Sequence, residues 1–224
     1  MKSTKLIATL FFAAIVAGCA TTDTASRNTP FTNPAVEGAT QQNLLDTSVN
    51  PAVQSYNVST INVAVPRTLI VSEANSYYPS GDIVWRGDSA GDRHAQVKAI
   101  FEDAMARGTA GMSRGTPVVL DIEVLRFHAL TEKTRYTIGG VHSITFQLSV
   151  RSAETGQLFG APRVVKADLK GFGGERAIEA ERQGQTQKVR ITDHLAKVIQ
   201  AELASPQGYV NQRLGLVQAI NNAF

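Results

Sequence analysis

Residues 144–151 alternate without a break: Ile144, Phe146, Leu148 and Val150 are apolar, while Thr145, Gln147, Ser149 and Arg151 are polar. A period of two places the first set on one side of an extended strand and the second on the other. One face is then buried and the other wet, the pattern of an antiparallel sheet backed on a single side. The same period runs through Val118, Leu120, Ile122 and Val124, alternating with Val119, Asp121, Glu123 and Leu125. A third strand is expected from about Arg163 to Leu169. Gly139-Gly140 and Ala153-Glu154-Thr155-Gly156 supply turns between the three, which predicts an antiparallel meander.

Upstream, Tyr56 to Val65 also alternates, with room for a bulge at Thr60, and Pro66 ends the ladder. Leu69-Ile70-Val71 and Asp82-Ile83-Val84-Trp85 read as short extended pieces around a turn-rich loop at 72–81. Between these and the meander the period changes to that of a helix. Val97, Ile100, Phe101, Ala104 and Met105 form one apolar stripe over Arg93–Arg107, with Asp92 as N-cap and Gly108 as the stop. A second helix, 187–204, carries Ile191, Leu195, Val198, Ile199 and Leu203, and Ser205-Pro206 ends it. A last helical stretch is expected from Gln207 to Asn222. The order predicts an α+β two-layer domain, an antiparallel sheet with helices packed on one face.

The chain has 224 residues, enough for one domain with appendages. Its 22 basic and 19 acidic residues give a net charge of +3, too balanced for a nucleic-acid binder with a concentrated basic face. A single cysteine excludes a disulfide framework and a cysteine-based zinc finger.

That cysteine closes an N-terminal leader. Lys2 and Lys5 precede an almost unbroken apolar run from Leu6 to Val16, and Ala17, Gly18 and Cys19 follow. This is the layout of a secretory signal, too short to span the ~20 residues that a bilayer core requires. Val16-Ala17-Gly18-Cys19 resembles the lipobox of bacterial lipoproteins. The resemblance implies a signal peptide at 1–18, removed so that Cys19 becomes a lipidated N-terminus without a free thiol. In lipoproteins of this kind an aspartate after the cysteine retains the protein at the inner membrane. Ala20 stands there instead, which implies the inner leaflet of the outer membrane, facing the periplasm. Two or three acyl chains anchor firmly at ~0.8 kcal/mol per buried CH₂. Residues 19–55 are then lipidated cysteine and tether: Thr, Ser, Asn, Ala and Gln predominate, with Pro30, Pro34 and Pro51 and no apolar period. A coil of that length has an end-to-end distance of roughly 30–35 Å. The periplasmic domain is expected over 56–224.

Motifs with chemical meaning each meet a plainer alternative. Gly111-Met112-Ser113-Arg114-Gly115 has the G-x-S-x-G spacing of a nucleophile elbow, but it leads from helix to strand, the reverse of what that motif requires. His128 and His142, with Glu132 near, stand on strands that Gly139-Gly140 would join, so a metal pair and two solvent-facing imidazoles are both open. Gly171-Phe172-Gly173-Gly174 has Arg176 where a dinucleotide loop needs its third glycine, and reads as a turn. Arg86-Gly87-Asp88 reads as loop, and the charge-rich segment Glu175 to Gln187 as a solvated helix face. Tyr77, Tyr78 and Trp85 bracket one loop and are the candidate partner contact. No catalytic residue, metal or cofactor is expected.

Ile61-Asn62-Val63-Ala64-Val65-Pro66, Gly81-Asp82-Ile83-Val84-Trp85-Arg86, Gly91-Asp92-Arg93 and Val124 to Glu132 resemble an uncharacterised family of small alphaproteobacterial lipoproteins. The resemblance spans Tyr56 to about Gly174 and implies no site residues. The order of elements is also similar to auxiliary lipoproteins of envelope ABC-type transporters, a likeness of architecture without shared motifs. The expected function is a non-enzymatic binding or assembly module of the cell envelope, accessory to a transport system in one form of that reading. Its partners would be the membrane, through the anchor, and an envelope protein. An envelope hydrolase using Ser113 or the histidines, and a passive structural lipoprotein contacting the cell wall, are the alternatives.

Overall fold

The computed structural model describes residues 55–221; the leader, Cys19 and almost all of the tether lie outside the described residues. Strand β1 (Tyr56–Ala64) is followed by the short β2 (Ile83–Val84), helix α1 (Arg93–Thr109) and the long β3 (Thr116–His128). Then come α2 (Glu132–Arg135), the long β4 (Gly140–Ser152), β5 (Arg163–Lys166), β6 (Leu169–Gly171), α3 (Glu175–Arg182), α4 (Gln187–Ala204) and α5 (Leu216–Asn221).

β3 and β4 form the centre, antiparallel from Val118 opposite Ser152 to His128 opposite Ser143. β1 lies along the outer edge of β3 and β2 continues along the same edge, both parallel to it. β5 and β6 pair antiparallel with successive parts of β4. The sheet is therefore mixed, which corrects the antiparallel sheet expected from the alternation. β1 reaches β3 through residues 65–115, including α1, and a connection of that length brings the chain back in the same direction. Alternation reports which face of a strand is buried, and it is the same for either direction of pairing.

α1 and α4 cover one face of the sheet. Phe101 of α1 meets Phe146 edge-on at 5.6 Å between centroids and leans on Phe127 at 6.2 Å. Phe127 in turn meets Trp85 edge-on at 5.7 Å, and all four rings are fully buried. Such pairs contribute about 0.5–1.5 kcal/mol each beyond the area they bury. Asp92 caps α1 as expected, its carboxylate accepting from the Ala95 N–H at 3.1 Å. Gly108 does not stop the helix, which runs on to Thr109. A Cβ at Gly108 would collide with the Ala196 carbonyl of α4, so this glycine permits close packing of the two helices.

The C-terminal segment departs from expectation. The third strand of the meander breaks at Ala167-Asp168 into β5 and β6, and only Leu216–Asn221 of the last stretch is helical. Asp168 links the two places. Asp168 is 1% exposed and accepts from Asn211 Nδ2 at 3.0 Å, Gln218 Nε2 at 2.8 Å and the Ile144 N–H at 3.3 Å. Asn211 Oδ1 accepts from the Asp168 N–H at 3.0 Å in return. Residues 205–221 form a strap: Asn211 and Gln218 tie it to Asp168, Tyr209 packs on the core and bonds through its N–H to Glu202, and α5 packs on β4. Val217 of α5 shares a cavity with residues of the sheet face that α1 and α4 do not cover, so the helices are not confined to one side.

Candidate functional site

The second face of the sheet carries a cavity of about 620 Å³. Its floor is the end of β3, with Arg126 and His128, and the start of β4, with Gly140 and Val141. Tyr77–Gly81 form one wall, the segment from Ala129 to Thr134 another, and Ile138-Gly139 and Val217 complete it.

A bulge in β3 makes this floor. The pairing with β4 slips between Val124 and Arg126. Continued alternation from Val118 would carry Arg126 and His128 into the core beneath α1. The extra residue reverses the phase, so Phe127 enters the core and Arg126 and His128 face the cavity.

The tyrosine loop is fastened at its base. Thr131 Oγ1 donates to the Ser76 carbonyl at 2.9 Å, and the Lys133 N–H donates to Asn75 Oδ1 at 2.8 Å. Arg86 bridges Glu132 and Glu73, and Arg93 donates to Glu73 at 2.6 Å. At the mouth, Tyr78 is 64% and Ile138 69% exposed. Gly139 turns with φ +70°, and side chains at Gly173 would collide with it, so glycines let the two backbones cross beneath the rim.

Inside, the polar groups form one chain. His128 Nε2 lies 2.8 Å from the Gly81 carbonyl, an acceptor, so Nε2 carries the proton. Nδ1 is then a lone pair and accepts from the Arg126 guanidinium at 3.3 Å. Burial and the neighbouring Arg126 lower the His128 pKa to about 4, which keeps the ring neutral near pH 7. Burial lowers Arg126 as well, with Asp82 and Asp168 opposing it from a distance. Neither carboxylate reaches ion-pair range, and each is engaged elsewhere, Asp82 by the Ile70 N–H at 2.8 Å and Asp168 by the strap. Arg126 Nε is buried without a hydrogen-bond partner.

Tyr77 and Tyr78 stand on the cavity wall, with Lys133 Nζ 4.7 Å over the Tyr77 ring. Trp85, expected beside them as a contact surface, is instead 0% exposed. Its ring completes the aromatic core, and its Nε1–H donates to Asp88 at 2.9 Å, so no polar edge needs solvent. His128 and His142 do not meet. His142 lies in phase with core residue Ile144 and is 1% exposed, so it is not a solvent-facing imidazole. Its Nδ1 accepts from the Leu130 N–H at 3.3 Å, and burial lowers its pKa to about 3. Glu132 is bound to Arg86, and no cluster of three metal-ligating side chains occurs among the described residues. Ser113 is exposed between α1 and β3, and no histidine hydrogen-bonds to it among the described residues.

Sequence reasoning missed Arg126, Ile138, Asp168 and Val217. A signal for the first was present: Val124-Leu125 are adjacent apolar residues, and after them the apolar position moves to Phe127. That change of phase is how a bulge reads in a sequence.

Fold and site together define an α+β domain with a mixed sheet, one face closed by helices and the other holding a cavity beneath a C-terminal strap. Residues 56–219 match the model of a family of unknown function, DUF6778, and the chain belongs to that family. The match runs beyond Gly174 through α4 and most of the strap, so these elements are part of the family's domain. No curated protein matches the sequence. Among solved structures, a Xanthomonas campestris protein of the DUF330 family is similar over 70% of this chain and 91% of its own, with 13% identity and a TM-score of 0.40. A Caulobacter crescentus protein named only as a candidate lipoprotein is similar over 52% of this chain and 83% of its own, with 17% identity and a TM-score of 0.28. A dodecameric PelC variant from Paraburkholderia phytofirmans is similar over 70% and 91%, with 13% identity and a TM-score of 0.32. No helix among the described residues is long and apolar enough to cross a membrane.

Proposed function

We propose that this protein is a lipid-anchored binding module of the bacterial cell envelope, held by Cys19 in the inner leaflet of the outer membrane and facing the periplasm. It performs no catalysis of its own and works through the cavity face, as an accessory to a transport system in the fuller form of the reading. The observation that carries it is the cavity itself. It has largely apolar walls, an exposed apolar rim and a guanidinium that makes no ion pair among the described residues. Its imidazole bonds to a carbonyl and a guanidinium, so it activates no hydroxyl. Concave, mostly apolar sites with few polar groups are built to bind.

The lipobox resemblance supports the anchor, and the polar, Pro-interrupted tether supports a domain that stands off the bilayer. A Cys19→Ala chain is expected in the soluble fraction, whereas the wild type pellets with outer-membrane vesicles. A Cys19→Ala chain that still pellets contradicts the anchor. For the working face, gentle extraction of the wild-type protein from membranes is expected to retain a ligand or an envelope protein. Ile138→Asp at the rim is expected to lose it, and retention by that variant overturns the assignment of this face.

A further inference from the structure

The cavity combines two features that belong together in one kind of ligand. Its walls and mouth are largely apolar, with Leu130 and Val141 inside and Tyr78, Ile138 and Val217 at the rim. Its floor holds a guanidinium that makes no ion pair among the described residues and has a buried, unpartnered Nε. A guanidinium remains charged at any pH a protein meets, so burial cannot neutralise it. Arg126 is half-buried, and a charge so placed without an ion pair is costly, so proteins as a rule pair such groups. The two carboxylates that bear on Arg126 are engaged elsewhere, Asp82 by the Ile70 N–H and Asp168 by the strap. His128 takes one Arg126 N–H with its lone pair and holds the guanidinium over the floor, which makes His128 a positioning residue.

Resting on the reading of this face as the working surface, we propose that the cavity binds a single-chain amphiphile with an anionic head, the carboxylate or phosphate paired with Arg126 and the chain laid along the apolar walls toward Ile138 and Tyr78. At about 620 Å³ the cavity falls within the roughly 300–1,000 Å³ of sites that enclose small molecules. A planar fork of N–H donors suits a carboxylate or a phosphate equally, so the head-group chemistry is shared and the source is separated by experiment.

The test uses the full lipidated chain in phosphatidylcholine nanodiscs, with empty discs as blank, and displacement of a fluorescent fatty acid. Four competitors are compared: dodecanoate, dodecyl phosphate, dodecanol and dodecyltrimethylammonium. Dodecanoate, dodecyl phosphate or both are expected to compete at least tenfold better than the other two, and the better one names the head group. Arg126→Gln is expected to remove that preference while changing dodecanol by less than twofold, and Arg126→Lys to restore part of it. Ile138→Asp, at an exposed position that folding tolerates, is expected to weaken all four. Equal competition by the cation, undiminished preference for anions in Arg126→Gln, or no displacement by either anion overturns the proposal. If no anion competes while membrane extracts of the wild type still carry a partner that Ile138→Asp loses, the ligand class alone falls and the working face stands.

Discussion

The two faces of the sheet are closed by different physics. On one, α1 and α4 bury aromatic and aliphatic side chains against β3 and β4, and the sequence carries the matching stripes. On the other, hydrogen bonds to Asp168 tie down a strap that also packs through Tyr209 and α5, and the cavity beside it holds a cation and a neutral imidazole. Burial by area is redundant, since many contacts share the load. Hydrogen bonds that converge on one acceptor are more concentrated, so loss of Asp168 is expected to loosen the strap around Asn211 and Gln218. A domain that must stay folded while one face exchanges its contents benefits from this division, because the less stable side can open without the other.

The largest effect is expected on the helix side. Phe127→Ala removes the ring that joins Trp85 to Phe101 and is expected to cost about 3–5 kcal/mol, read from urea unfolding. A loss below 1 kcal/mol would mean that the aromatic core is not the main support.

Acid tests both faces together. The folded values of His128 and His142, about 4 and about 3, lie below the ordinary 6.5, so the unfolded chain binds protons first. Stability is then full above about pH 6.5 and falls as pH drops toward 4, by up to about 1.4 kcal/mol per pH unit for each ring. His194, lowered mainly by burial, adds to the same trend. Below the ordinary carboxylate range a further loss is expected from Asp121, held down by Arg151, and from Glu73, held down by Arg93. Replacing His128 and His142 with glutamine should flatten the slope between pH 6.5 and 4. An unchanged slope would show that neither ring is buried neutral.

Asp168→Ala should separate the faces. Three donors lose their acceptor, for an expected cost of about 1–3 kcal/mol. Limited proteolysis is expected to cut within 205–221 while α1 and α4 stay protected. A strap as resistant as the wild type would show that apolar contacts of α5, not Asp168, hold it. The smallest effect is expected from Tyr78→Ala at the rim, within about 0.5 kcal/mol in stability. A larger loss would make Tyr78 part of the core rather than of the mouth.

The same contrast explains what was legible in the sequence. The stripes of 97–105 and 191–203, the alternation of 118–124 and 144–150 and the Asp92 cap are local and periodic, and the helix-covered face followed from them. Parallel pairing of β1 was not legible, because a half-buried strand alternates the same way in either direction. Burial of Trp85 was not legible either: it brackets a turn-rich loop with Tyr77 and Tyr78, and Phe127, the ring that packs on it, is 42 positions away. Asp168 and Gln218 bond across 50 positions with no period to mark them. Arg126 was readable only through the change of phase after Val124-Leu125.

The most direct measurement is hydrogen–deuterium exchange of the full lipidated chain in phosphatidylcholine nanodiscs, with and without whichever of dodecanoate and dodecyl phosphate competes better. Slower exchange is expected at 77–81, 126–131, 138–141 and α5, with α1 and α4 unchanged. Slowing confined to α1 and α4, or none in the segments around the cavity, would contradict binding of an anionic amphiphile in this cavity.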